Sequence, residues 1–181
     1  MISDKKILGE ERRSLILKWL QESDVPLTGT SLAKRTNVSR QVIVQDISLL
    51  KARNEPIIAT AQGYLIVNKP NQKQKHKRVI ACQHDPAETK KELYTIVDNG
   101  ATVKNVIVEH PIYGDLTASL MLSNRRDVDR FLENLERTSA SLLSELTDGV
   151  HLHTIEADEP KQLDEVCHSL KEAGFLLRQN D

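Results

Sequence analysis

The sequence predicts an α+β chain of two domains, and three observations carry the expectation. Its charge is divided: through Arg78 there are 15 Lys and Arg against 7 Asp and Glu, a balance of +8, and the remaining 10 against 19 leave −9. The basic part reads as helices followed by a hairpin. In the acidic part short β-rich runs alternate with helical ones, the pattern of an α/β-sandwich-like sheet covered by helices on one side. Residues 68–78 between them are polar, lysine-rich and interrupted by Pro70, which reads as a linker. The expected division is therefore 1–67, 68–78 and 79–181.

Composition removes several classes. The hydrophobic share of 39% is that of an ordinary globular chain, and no apolar run is long enough to cross a bilayer. Met1-Ile2-Ser3-Asp4-Lys5-Lys6 lacks the apolar core of a signal peptide, so a cytoplasmic protein with no membrane partner is expected. Cys82 and Cys167 stand alone, without the spacing of a disulfide framework or a cysteine-rich zinc knot, and read as two small buried hydrophobes.

The basic half starts with a helix over about 9–23, where Leu15/Trp19 and Ile16/Leu20 repeat at four-residue spacing. Thr28 fits the cap of a second helix over 29–36, with Leu27 and Leu32 at staple positions. Asn37 tolerates the left-handed turn that follows, and Ser39 caps a third helix whose Ile43, Ile47 and Leu50 face inward. That leaves Gln41, Gln45 and Ser48 on another face, with Arg40 at the exposed N-terminal end. Glutamine pairs bidentately with adenine, and arginine with guanine or phosphate. Ser39, Arg40, Gln41 and Gln45 are therefore the expected contacts to double-stranded operator DNA; a small helical bundle with a solvated polar face is the competing reading. Residues 56–66 form a hairpin with Gly63 at its corner, and three helices followed by a hairpin is the order of a winged helix-turn-helix. The stretch Leu32 to Ile47 also resembles the winged helix-turn-helix family of bacterial repressors.

In the acidic half the expected elements are strands at 79–83, 102–109, 115–122 and about 150–156, helices at 86–98, 125–140 and 160–173, and a last β-rich run at 175–177. Every histidine lies at or beyond position 76. His76 reads as solvated linker and His168 as a structural helix residue. In Gly149-Val150-His151-Leu152-His153-Thr154 the strand period of two puts both imidazoles on one face, where they could grip one ion. Near His84 two glutamates compete for a metal-ligating role. Glu88 fits a capping box with Asp85 and Pro86, whereas Glu92 has no such local use, although carboxylates on helices are usually solvated. Three imidazoles and a carboxylate would suit zinc, nickel, manganese or iron, with no sulfur to narrow the choice.

Glu109-His110-Pro111-Ile112-Tyr113-Gly114, Ser123-Asn124-Arg125-Arg126-Asp127-Val128, Leu146 to Ile155, and His84 with Glu92 together resemble the 3H domain, named for its histidines. A winged helix followed by a 3H domain is similar to the niacin-responsive transcriptional repressors of Firmicutes and related bacteria. The resemblance implies a divalent transition metal on His84, Glu92, His151 and His153, nicotinic acid as co-repressor, and genes of niacin uptake or NAD biosynthesis as targets. His110, Tyr113 and Arg125 are the expected effector contacts, because arginine matches carboxylate geometry; a loop-shaping role for His110 is the alternative. A homodimer is expected, since two recognition helices must meet a palindrome about one helical turn apart. Two other classes stay open: a repressor for which the metal is itself the signal, and a metal-dependent hydrolase. Against the latter, the chain holds no nucleophile elbow, phosphate loop or zinc-protease helix motif.

Overall fold

The computed structural model describes residues 7–67 and 74–177, and its contacts divide the chain into two compact units, Met1–Gln72 and Lys73–Asp181. In the first unit α1 (Gly9–Glu22), α2 (Gly29–Thr36) and α3 (Arg40–Ala52) precede a hairpin of β1 (Ile57–Thr60) and β2 (Gly63–Ile66). Both expected caps form: the Thr28 hydroxyl accepts from the Ser31 amide and the Ser39 hydroxyl from the Val42 amide. Asn37 turns the chain at φ 50°. Ile16, Leu20, Leu32, Ile43, Ile47 and Leu50 make the core, joined by Tyr64 and Ile66 from the hairpin. Gly63 sits at φ +129°, where a side chain would meet the Leu27 carbonyl oxygen at 2.6 Å. That closeness lets Leu27 and Tyr64 exchange backbone hydrogen bonds of 2.9 and 2.8 Å, anchoring the wing to the start of α2.

One feature of this core departs from the apolar stripe. Arg12, one turn before Ile16, is only 6% exposed and places its Nε 2.6 Å from Oδ2 of Asp46 on α3, itself 2% exposed. Arg13 adds a 3.1 Å contact to the other carboxylate oxygen.

The second unit is built on an antiparallel sheet of order β3-β6-β4-β5, from β3 (His76–Gln83), β4 (Thr102–His110), β5 (Gly114–Leu122) and β6 (Val150–Ala157). Helices α4 (Thr89–Asp98), α5 (Arg125–Thr138) and α6 (Pro160–Glu172) complete it. Burial alternates along β6: His151, His153, Ile155 and Ala157 face inward, while Val150 and Leu152 are each 37% exposed. The sheet is thus covered on one face, as the alternation of elements implied.

Several local expectations need correction. Positions 76–78, expected in the linker, open β3, with His76 opposite Ala157 and Arg78 opposite Ile155; positions 68–73 of that linker lie outside the described residues. Polarity did not exclude a strand there, because carboxylates meet the lysines: Lys77 lies 3.7 Å from Glu156 and Lys75 3.5 Å from Asp158. The helix expected from Pro86 starts as a 3-10 turn, Pro86–Glu88, and Asp85 makes no side-chain cap. The run at 175–177 contributes a single bridge, Leu176 to Cys82.

Candidate functional site

On the first unit, Ser39, Arg40, Gln41 and Gln45 are all exposed, and Gln41, Gln45 and Ser48 share one face of α3 at spacings of four and three. The buried positions Ile43, Ile47 and Leu50 turn that face outward, so the helix presents amide and guanidinium groups at its N-terminal end. Ser39 already uses its oxygen as the cap acceptor, which leaves its hydroxyl hydrogen for a phosphate.

In the second unit the structure brings His84, Glu92, His151 and His153 together. His84 follows β3, Glu92 lies on the first turns of α4, and the other two alternate along β6. The Glu92 side chain is 1% exposed and the three imidazoles 3 or 4%. Each ring turns its Nδ1 to a backbone carbonyl: His84 to Asp85 at 2.8 Å, His151 to Gly149 at 2.8 Å, and His153 to Asn105 at 2.7 Å. A carbonyl only accepts, so each Nδ1 carries the hydrogen and donates it. The three Nε2 atoms then converge on Glu92, at 2.7 Å from Oε2 for His84, 3.2 Å from Oε1 for His151 and 3.5 Å from Oε2 for His153. With Nδ1 protonated, a neutral ring offers a lone pair at Nε2, and three lone pairs facing a buried carboxylate repel unless cations stand among them. Added protons or a metal ion meet that demand, and imidazoles oriented by carbonyls are the usual arrangement of metal-ligating histidines. The residues present therefore fit a divalent transition metal.

The electrostatics agree. Burial alone would push the Glu92 carboxyl up, but the three imidazoles outweigh it and hold the group well below the usual carboxylate range. For His84, burial pulls the imidazole down, yet Glu92 and the Asp85 carbonyl leave it above its ordinary 6.5.

Three supporting residues were not read from the sequence. At Lys104 a bulge shifts the register of β4, and the Asn105 side-chain oxygen accepts from the Thr154 amide at 2.9 Å, taking a place in the ladder that frees the Asn105 carbonyl for His153. Gly149, at φ +85°, leaves no room for a Cβ against the His84 carbonyl, which seats the His84 segment on the start of β6. This glycine stands in the histidine motif itself, so its presence before a strand was the available signal. Cys82, facing inward beside His151, brings its sulfur into a group with Glu92 and His151 whose ligand atoms lie within 4.8 Å of one another. Burial, then the Glu92 charge, push its thiol up; a metal ion would act against that shift, so the Cys82 sulfur stands as a further candidate donor beside the three imidazoles.

The cluster opens on a cavity of about 200 Å³ walled by apolar side chains such as Val106, Leu120, Phe131, Leu135 and Leu142. None of the expected effector contacts lines it. His110 accepts at Nδ1 from the amides of Ile112 and Tyr113, at 3.2 and 3.3 Å, and so shapes the turn between β4 and β5, where Tyr113 is 74% exposed. Arg125 forms a fork with Asp98, at 2.8 and 2.6 Å, and lies over the Tyr94 ring. Ser123, Asn124 and Asp127 are bonded to one another at the start of α5, where the Asn124 side chain accepts from the Asp127 amide. His168 pairs with Glu172 on α6, away from the cluster.

Comparison with known proteins gives the chain its relatives. It matches the HTH domain over residues 12–65 and the 3H domain over residues 77–179. It is 52% identical over 179 residues to the transcription repressor NadR of Bacillus subtilis, which covers 98% of this chain and 99% of the relative. It is 38% identical over 174 residues, 96% of this chain and 98% of the relative, to the probable transcription repressor NiaR of Thermotoga maritima. An HTH domain that presents a polar helix face, followed by a 3H domain, at this level of identity over nearly the whole length, places the chain in the NadR/NiaR family of DNA-binding transcription repressors.

Proposed function

We propose that this repressor takes nicotinic acid as its co-repressor in the cavity beside Glu92, through a divalent transition metal held by His84, Glu92, His151 and His153, and controls niacin uptake or NAD biosynthesis. The observation that carries the reading is the convergence of three Nε2 atoms on one buried carboxylate at the mouth of an apolar cavity. The metal, zinc or nickel first, would supply a Lewis-acid position for a nitrogen or carboxylate of the effector. The residues of the chain do the rest. Carbonyls of Asp85, Gly149 and Asn105 orient the rings, and Val106, Leu120 and Phe131 exclude water and match a flat aromatic ring. Ser39, Arg40, Gln41 and Gln45 would meet the operator, as part of a homodimer that presents two copies of α3.

Effector binding acts on DNA affinity only to the extent that nicotinic acid prefers the DNA-competent conformation. The test is fluorescence anisotropy of a labelled operator duplex, with metal-loaded and chelated protein, each with and without nicotinic acid. Tighter DNA binding only when metal and nicotinic acid are both present supports the reading. DNA affinity that follows the metal alone would make the metal the signal and overturn the nicotinic acid assignment.

A further inference from the structure

Thr89 is the first residue of α4, is 7% exposed, and lines the cavity beside Glu92. Its Oγ1 is buried and has no hydrogen-bond partner. Other threonines in helices of this chain satisfy their hydroxyls on the carbonyl four residues earlier: Thr36 on Leu32, Thr95 on Lys91 and Thr138 on Asn134. For Thr89 that carbonyl belongs to Asp85, and it already accepts from the Glu88 amide at 3.0 Å and from His84 Nδ1 at 2.8 Å. Orienting His84 thus uses the acceptor that the Thr89 hydroxyl would otherwise take. A buried hydroxyl without a partner costs stability, and its natural partner is a group that enters the cavity.

The position of Thr89 limits what that group can be. Thr89 and Glu92 are three apart on α4, so they share a face with Cβ atoms roughly 5–6 Å apart. A ligand touching both ends therefore needs two polar groups separated by about the width of one aromatic ring, with apolar edges between them for Val106, Leu120 and Phe131. We infer that the Thr89 hydroxyl is the second anchor of the effector: it donates a hydrogen bond to the carboxylate, while the ring nitrogen faces the histidine and glutamate end of the cavity. This inference rests on the reading that nicotinic acid occupies the cavity, and goes beyond it by assigning the orientation and the residue that holds the acid group.

The orientation makes Thr89 a selector of carboxylates over rings that lack one. Donation to a carboxylate is a charge-assisted bond, and its loss lowers affinity on the order of 10- to 100-fold. The experiment is calorimetric titration of the metal-loaded full chain with nicotinic acid and with 3-methylpyridine, for wild type, Thr89→Val and Thr89→Ser. Metal content and Tm are recorded on each protein. Thr89→Val keeps the shape and removes the donor; the expected result is a loss of tenfold or more for nicotinic acid, no change for 3-methylpyridine, and near-wild-type binding in Thr89→Ser. Nicotinic acid bound equally by wild type and Thr89→Val overturns the inference and leaves the cavity reading intact. A loss that comes with lost metal, or that falls equally on both ligands, also overturns it, because Thr89 would then support the cluster rather than touch the acid. No binding of nicotinic acid by the metal-loaded wild type is the separate failure of the cavity reading itself.

Discussion

Glu92 is the buried carboxylate on which three imidazoles converge, and its protonation gives a test on the chelated protein. Its folded carboxyl lies below the ordinary 4.5, so it contributes stability that is present above that value and lost as pH falls through the folded one. His84 lies above the ordinary 6.5, so its contribution is present below that value and lost as pH rises through the folded one. Without metal, the cluster therefore favours folding most between these two pH values, and the Tm of chelated protein is expected to fall as pH is raised beyond 6.5. Metal-loaded protein should behave in the opposite way, because deprotonated Nε2 atoms are the ligands. Scanning calorimetry across pH with and without chelator checks this, and parallel curves would contradict it. At this scale the sequence was half legible. A period of two put His151 and His153 on one face, and a capping box assigned to Glu88 pointed to Glu92 as the ligand, although Asp85 makes no such side-chain cap. Asn105, Cys82 and Thr89 reach the site through strand pairing, a bulge and a carbonyl already in use, none of which leaves a local pattern. His110 and Arg125, expected at the effector, shape a turn and pair with Asp98 outside the cavity lining, uses that a motif does not separate from ligand contact.

Among the elements, α3 joins two roles whose energies differ in kind. Its outer face is expected to read bases, and Gln41→Ala should cost about 1–3 kcal/mol at the cognate operator, with a smaller loss on random DNA. Equal losses on both duplexes in competition assays would remove Gln41 from base reading. On its inner face, Asp46→Ala strands the Arg12 guanidinium in the core, and breaking such a buried pair typically costs about 3–5 kcal/mol. Urea unfolding of the DNA-binding unit measures it; a loss below about 1 kcal/mol would mean that water or another acceptor reaches Arg12. Helix periodicity, the Thr28 and Ser39 caps and Gly63 made the first unit readable in order. The buried Arg12–Asp46 pair was not, because an arginine on a helix next to apolar positions normally reaches solvent. In the second unit alternation foretold the strands, but the order β3-β6-β4-β5 depends on long-range pairing and was closed to inspection.

For the molecule as a whole, the division of charge sets the basic DNA-reading part against an acidic part that holds every histidine but His76. A repressor of this family that senses a small acid needs both parts, and a homodimer is the arrangement that offers two recognition helices to a palindrome. Light scattering of the protein with operator should report two chains per duplex. The proposed effector site is built by a metal on His84, Glu92, His151 and His153. Calorimetric titration of nicotinic acid into the purified chain, before chelation, after it, and after metal is restored, tests this most directly. Saturable binding that vanishes with the metal and returns with it is the predicted result; binding unchanged by chelation, or none in the metal-loaded protein, would contradict it.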